Sequence, residues 1–222
     1  MHGTLNICLY EVIAAAGAVK DRPRTQETKG SMVELFKAAA RPEMKWKNGG
    51  GITRPVASAP GNMREFGWRL SLADVTSAGP FSVFPGISRL MGILEGRLRL
   101  EVQNMAPVEL APGGPAFTFP GDAPTHGAPL GGLVRDINLM FDPECFDATL
   151  DYAAEGVERP AGAAAHLLLA LEPLRLNGVA LGAMDAALLQ AGETVSVKGG
   201  ALWVAALVAL SAPLCPTKSQ KS

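Results

Sequence analysis

The sequence predicts an all-β chain, two small barrels or sandwiches placed side by side, with two short helices. Alternation of apolar and polar residues at period two dominates from Met32 to Leu210, and glycine or proline turns interrupt it roughly every 8–12 residues. Glycine and proline number 25 and 17 of 222 residues, enough to favour short strands over long helices and too few for a low-complexity chain. A weak internal echo suggests a duplication: LEGRLRLEV followed by VELAPGGPAFTF is matched further on by LEPLRLNGVAL followed by ALLQAGETVSV.

From the N-terminus, residues 5–19 are apolar but lack a cationic leader and carry Glu11, and they are shorter than the ~20 residues of a membrane span. The polar run KDRPRTQETKGS after them has the composition of a linker, so residues 1–31 are expected to be an extension or appendage. In the segment 66–73, Trp68, Leu70 and Leu72 share one face while Arg69 and Ser71 share the other. Leu98, Leu100 and Val102 oppose Arg97, Arg99, Glu101 and Gln103, the pattern of a half-buried antiparallel strand. Phe117 and Phe119 close another strand. In the strand 133–141, Leu133, Arg135, Ile137, Leu139 and Phe141 lie on one face, and Val134, Asp136, Asn138 and Met140 on the other. Residues 143–154 and 161–171 are the two expected helices, with Asp147 and Asp151 as solvated charges at helical spacing. The expected organisation is a first barrel over 32–142, a second half over 143–212 and a flexible tail over 213–222.

With 20 basic and 21 acidic residues the chain has no net field to draw it to nucleic acid or an anionic membrane, so neither is an expected partner. Cys8, Cys145 and Cys215 have no CxxC spacing, which argues against a disulfide framework or structural zinc and points to the cytoplasm. His2, His126 and His166 are too far apart to pair on one strand or helix face; neither a metal nor a cofactor is expected.

Unusual residues collect between Trp46 and Met140. Trp46-Lys47-Asn48 precedes three glycines, suited either to a plain turn or to a loop whose backbone approaches a ligand closely. The cluster Gly79 to Gly86 has turn-forming ends, with Phe81 and Phe84 expected to be buried. Arg89 could point to solvent or into a cavity. Both faces of strand 133–141 are substantially apolar, so Asp136 and Asn138 need partners in a half-buried setting, either a loop, an arginine or a ligand. From Asn48 to Val197 every cation is arginine, whose planar fork suits carboxylates. No GxSxG elbow or phosphate loop occurs.

Taken in order, WKNGGGITR, WRLSLA, GPFSVFPGISR, LEG, FPGD and VRDINLM resemble the HutD/Ves family, over roughly Trp46 to Met140 and more weakly to Leu210. The resemblance implies a bicupin, a double jelly-roll of RmlC-like type. It also implies a pocket in the first barrel lined by Trp46, Asn48, Arg69, Arg89, Asp136 and Asn138. The chain departs from the family pattern at Pro55 and Ser88, where acidic residues are common in the family. The function expected from this resemblance is metal-free binding of a small carboxylate by an accessory or regulatory protein of histidine utilisation, with formylglutamate or urocanate as the type of ligand. A homodimer is left open as the assembly. The alternatives are a cupin-fold isomerase or hydrolase working by acid–base chemistry with Asp136, with or without His126, and a stress-response protein of Ves type.

Overall fold

The computed structural model describes residues 24–28, 31–61 and 66–210. Two hairpins come first: β1 (Arg24–Thr28) with β2 (Ser31–Phe36), and β3 (Met44–Lys45) with β4 (Gly51–Ala59). Eight strands follow: β5 (Trp68–Val75), β6 (Gly79–Pro80), β7 (Ser88–Glu95), β8 (Leu98–Val102), β9 (Val108–Leu110), β10 (Phe117–Pro120), β11 (Thr125–Pro129) and β12 (Val134–Phe141). Eight more complete the chain: β13 (Phe146–Ala153), β14 (Val157–Arg159), β15 (Ala164–Ala170), β16 (Leu174–Leu176), β17 (Val179–Leu181), β18 (Ala186–Leu189), β19 (Val195–Lys198) and β20 (Leu202–Ala209).

The pairing repeats itself. One sheet has the order β10-β7-β12-β5-β4-β3 and faces a sheet of order β6-β11-β8-β9; in the second barrel β18-β15-β20-β13 faces β14-β19-β16-β17. Adding eight to each label of the first set from β5 onward gives the second set, which makes the chain two jelly-rolls of the same topology. The echo seen in the sequence is correct in its first half, since Leu98 and Leu100 of β8 correspond to Leu174 and Leu176 of β16. Its second half is offset by one strand: VELAPGGPAFTF holds β9 and β10, whose counterparts are β17 and β18, whereas ALLQAGETVSV holds β18 and β19.

Three expectations are corrected. Among the described residues there is no α-helix, only a 3-10 turn at Ala38–Ala40; the expected helices over 143–154 and 161–171 contain β13 and β15. β15 is Ala- and Leu-rich because it is central and buried on both faces, so it shows no alternation and its helical propensity is overridden by pairing to β18 and β20. β13 is an edge strand, and Asp147 and Asp151 share its exposed side because residues four apart share a face in a strand as they do in a helix. The third correction concerns the N-terminal side. β2 was expected in the first barrel, yet it pairs with β18 of the second, and β1, inside the expected appendage, pairs with β2 from Ser31 to Leu35. Residues 1–23 and the tail over 213–222 lie outside the described residues.

The core forms layers. Val75, Met91, Ile93, Leu98, Leu100, Phe119 and Val134 fill the first barrel, and Leu168, Leu176, Leu189, Val195 and Leu202 fill the second. A further cluster joins the outer faces of the two large sheets: Trp68, Leu70, Leu72, Ile137 and Leu139 meet Leu150, Leu167, Leu169, Leu188 and Trp203. Each such fully buried side chain contributes about 1.5–3 kcal/mol. Among the described residues no helix is long and apolar enough to cross a membrane.

Candidate functional site

The period-two geometry of the large first sheet sorts its residues. On β5, Trp68, Leu70 and Leu72 go to the contact between barrels, leaving Arg69, Ser71 and Ala73 in the first barrel's interior. On β12, Ile137, Leu139 and Phe141 go outward while Val134, Asp136, Asn138 and Met140 face inward. Arg89 and Met91 of β7 do the same. These inward residues surround a cavity of about 470 Å³, bordered by the β3–β4 loop and by Phe81, Ser82 and Phe84. That size suits a small metabolite. Trp46, Asn48, Arg69, Arg89, Asp136 and Asn138 all lie on its wall.

The β3–β4 loop is built by its own hydrogen bonds. Gly49 N–H donates to the Trp46 carbonyl at 3.1 Å, Trp46 N–H to the Gly51 carbonyl at 3.0 Å, and Gly50 N–H to Asn48 Oδ1 at 3.0 Å. Gly49 needs its glycine because its φ of +73° is left-handed. At Gly51 a Cβ would stand 2.5 Å from the Asp74 carbonyl oxygen and 3.0 Å from the Trp46 ring. The Trp46 indole N–H donates to Thr53 Oγ1 at 2.8 Å, and its ring meets Phe81 edge-on at 5.7 Å. The loop therefore holds an aromatic wall in place over the cavity, beyond the plain turn the glycines alone would allow.

Arg89 is 5% exposed and its guanidinium carbon lies 4.8 Å from the centre of the Phe119 ring and 5.6 Å from that of Phe81. Arg69 stacks likewise on Phe66 at 4.6 Å and Phe84 at 5.2 Å, and donates from Nη2 to the Met140 sulfur at 3.4 Å. Such aromatic cages stabilise a guanidinium without neutralising it. Among the described residues Arg89 Nε, Asp136 Oδ1 and Asn138 Oδ1 are buried with no hydrogen-bond partner. Buried polar atoms normally find partners, and one donor and two acceptors left over on one cavity wall mark it as built for something to enter. Burial pushes the Asp136 carboxyl up to about 7, opposed by the Arg89 charge and assisted by that of Asp74. Burial also lowers the Arg89 guanidinium to about 10, where Asp136 supports its charge and Arg69 opposes it.

The alternative acid–base pair is not assembled. His126 is exposed on β11 while its neighbours Thr125 and Gly127 are buried, so its side chain projects away from the interior that holds Asp136. Among the described residues the cavity wall carries one carboxylate, Asp136, and no histidine or cysteine. Among the described residues no three His, Cys, Asp or Glu side chains are grouped to hold a metal ion. Sequence reasoning missed the part played by Phe66, Phe84 and Phe119 as platforms for the arginines, and the position of Ser71, Thr53, Lys45 and Lys47 on the cavity wall. Alternation with Arg69 was the available signal for Ser71.

Comparison with known proteins matches the profile of the HutD family to residues 38–205. An uncharacterised 21.2 kDa protein of the hutC 3' region of Pseudomonas putida is 38% identical over 141 residues, 63% of this chain and 73% of that protein. Protein Ves of Citrobacter koseri is 36% identical over 110 residues, 49% of this chain and 57% of that one. The structure of HutD from Pseudomonas fluorescens SBW25 superposes with a TM-score of 0.74 at 28% identity, covering 81% of this chain and all of that one.

Proposed function

Because the chain belongs to the HutD family, we propose that its first barrel binds a small carboxylate metabolite without a metal ion and serves histidine utilisation as an accessory or regulatory protein. The observation that carries this reading is Arg89: a buried guanidinium with a free Nε, caged by rings rather than by a carboxylate hydrogen bond, next to a second arginine. A desolvated arginine gains most from a bidentate carboxylate, and the neighbouring acceptors on Asp136 and Asn138 suit an N–H or O–H on the same ligand. Formylglutamate and urocanate carry both groups. The hutC-region relative and the HutD structure support the pathway, since both names refer to histidine utilisation.

Calorimetry with a panel of histidine-pathway acids tests the reading. At least one should bind, and Arg89→Ala should weaken it by about 2–4 kcal/mol, roughly 30-fold or more, because a buried charge partner is lost. Full affinity in that variant, or no heat with any acid in a folded sample, overturns it. A second reading, acid–base turnover, is favoured by the Asp136 carboxyl standing near neutrality. It requires turnover that survives chelator and disappears in Asp136→Asn.

A further inference from the structure

The cavity contains an electrostatic conflict that the carboxylate reading has to resolve. Asp136 is 1% exposed, its Oδ1 has no partner among the described residues, and it faces the same space into which an anion must come to reach Arg89. Two carboxylates brought together in a desolvated space cannot both stay ionised at low cost. We propose that the cavity takes up its anion together with one proton, and that Asp136 receives this proton and becomes a hydrogen-bond donor to the bound molecule or to Asn138. The inference rests on the carboxylate-binding reading above and adds a role for Asp136 within it.

The surroundings of Asp136 leave few other sites for the proton. Across the sheet it pairs with Ala73 of β5 and Ile93 of β7, neither of which titrates. Among the described residues the other charged groups of the cavity wall are Arg89 from β7, Arg69 from β5, and Lys45 and Lys47 from β3 and its loop; β11 and the Phe81 segment add none. Asp74 acts on Asp136 only through space. Arg89 is the main counter-charge to Asp136, and an incoming carboxylate that pairs with Arg89 removes that support and adds a negative charge beside it. Both changes favour the neutral acid. Once protonated, Asp136 has an O–H to give, and the buried Asn138 Oδ1, two residues along the same face of β12, is an acceptor in need of one. The free group already stands near neutrality, so the step needs only a modest further shift.

Isothermal titration with N-formylglutamate and with glutarate, neither of which titrates above about pH 7, tests this in buffers of different ionisation enthalpy. At pH 8 the wild-type protein should take up close to one proton per ligand bound. Its Kd should rise about tenfold per pH unit above about pH 7 and be nearly flat below it. Asp136→Asn should bind with no proton uptake and no such pH dependence, since the amide is already a neutral donor. Infrared difference spectra should show a protonated carboxyl band appearing on binding in the wild type and missing in the variant. Binding without proton uptake, or uptake that persists in Asp136→Asn, overturns this inference and leaves the carboxylate reading standing. No heat from either of these or from any other acid of the histidine-pathway panel overturns both.

Discussion

Asp136 is fully ionised in the unfolded chain at neutral pH and about half neutral in the folded one, because burial raises its carboxyl from 3.8 to about 7. Between these values the native state holds more protons than the unfolded state, so the stability of the fold falls as pH rises through that window. The stabilisation is present near pH 4 and lost above about 7, and a shift of this size corresponds to on the order of 4 kcal/mol. Asp136→Asn removes the ionisation and keeps the shape. Its stability should match that of the wild type near pH 4 and exceed it increasingly towards pH 8, which urea denaturation across that range would record. A difference independent of pH would show that Asp136 does not titrate inside the folded barrel. The residue is thus kept at a cost to stability, as expected of a group placed for binding.

At the scale of elements, the contact between barrels turns on one strand position. Gly92 of β7 faces outward between Leu90 and Leu94, and a Cβ there would come 2.4–2.9 Å from three atoms of the Trp203 ring on β20. Gly92→Ala should destabilise by about 1–3 kcal/mol, the usual cost of overpacking. In a Trp203→Phe background, where the six-membered ring of the indole is withdrawn, most of that penalty should vanish in a double-mutant cycle. The same element explains what could be read in advance. β8, with buried Leu98, Leu100 and Val102 against exposed arginine and glutamate, announces itself by alternation because one of its faces meets water. β12 also declared two faces, and period two put Asp136 and Asn138 on the same one, but with both faces apolar only the packing shows that this face is inward. β15 gave no such signal, since both of its faces are covered, and β1 gave none because its pairing with β2 is made by backbone groups that composition does not reveal. Arg89 was undecidable from sequence: its environment is set by Phe81, in the loop before β7, together with Phe119, which comes from β10, 30 residues further along the chain.

The whole molecule uses one topology twice, and the cavity described above lies in the first copy. With Leu94-Glu95 aligned to Leu171-Glu172, Arg89 falls on His166, and the pairing registers then place Asp136 on Leu202 and Asn138 on Val204. Leucine and valine fill in the second barrel the space that polar groups leave open in the first. Each barrel also supports the other. Trp203, 1% exposed, is buried against the first barrel's sheet, while Val33 and Leu35, which precede the first barrel in sequence, are buried inside the second. A cut between residues 142 and 143 would strip β2 from the second barrel and bare both faces of the shared core, exposing an apolar surface that isolated soluble domains avoid. Neither fragment should fold alone, as read by far-ultraviolet circular dichroism and proteolysis. The intact chain should unfold in a single transition, with fluorescence of Trp68 in the first barrel and Trp203 in the second, each followed in a single-tryptophan variant, giving the same midpoint as circular dichroism. Separate midpoints for the two tryptophans would mean that the layer between the sheets is a docking contact of independent domains instead of a core that both halves need.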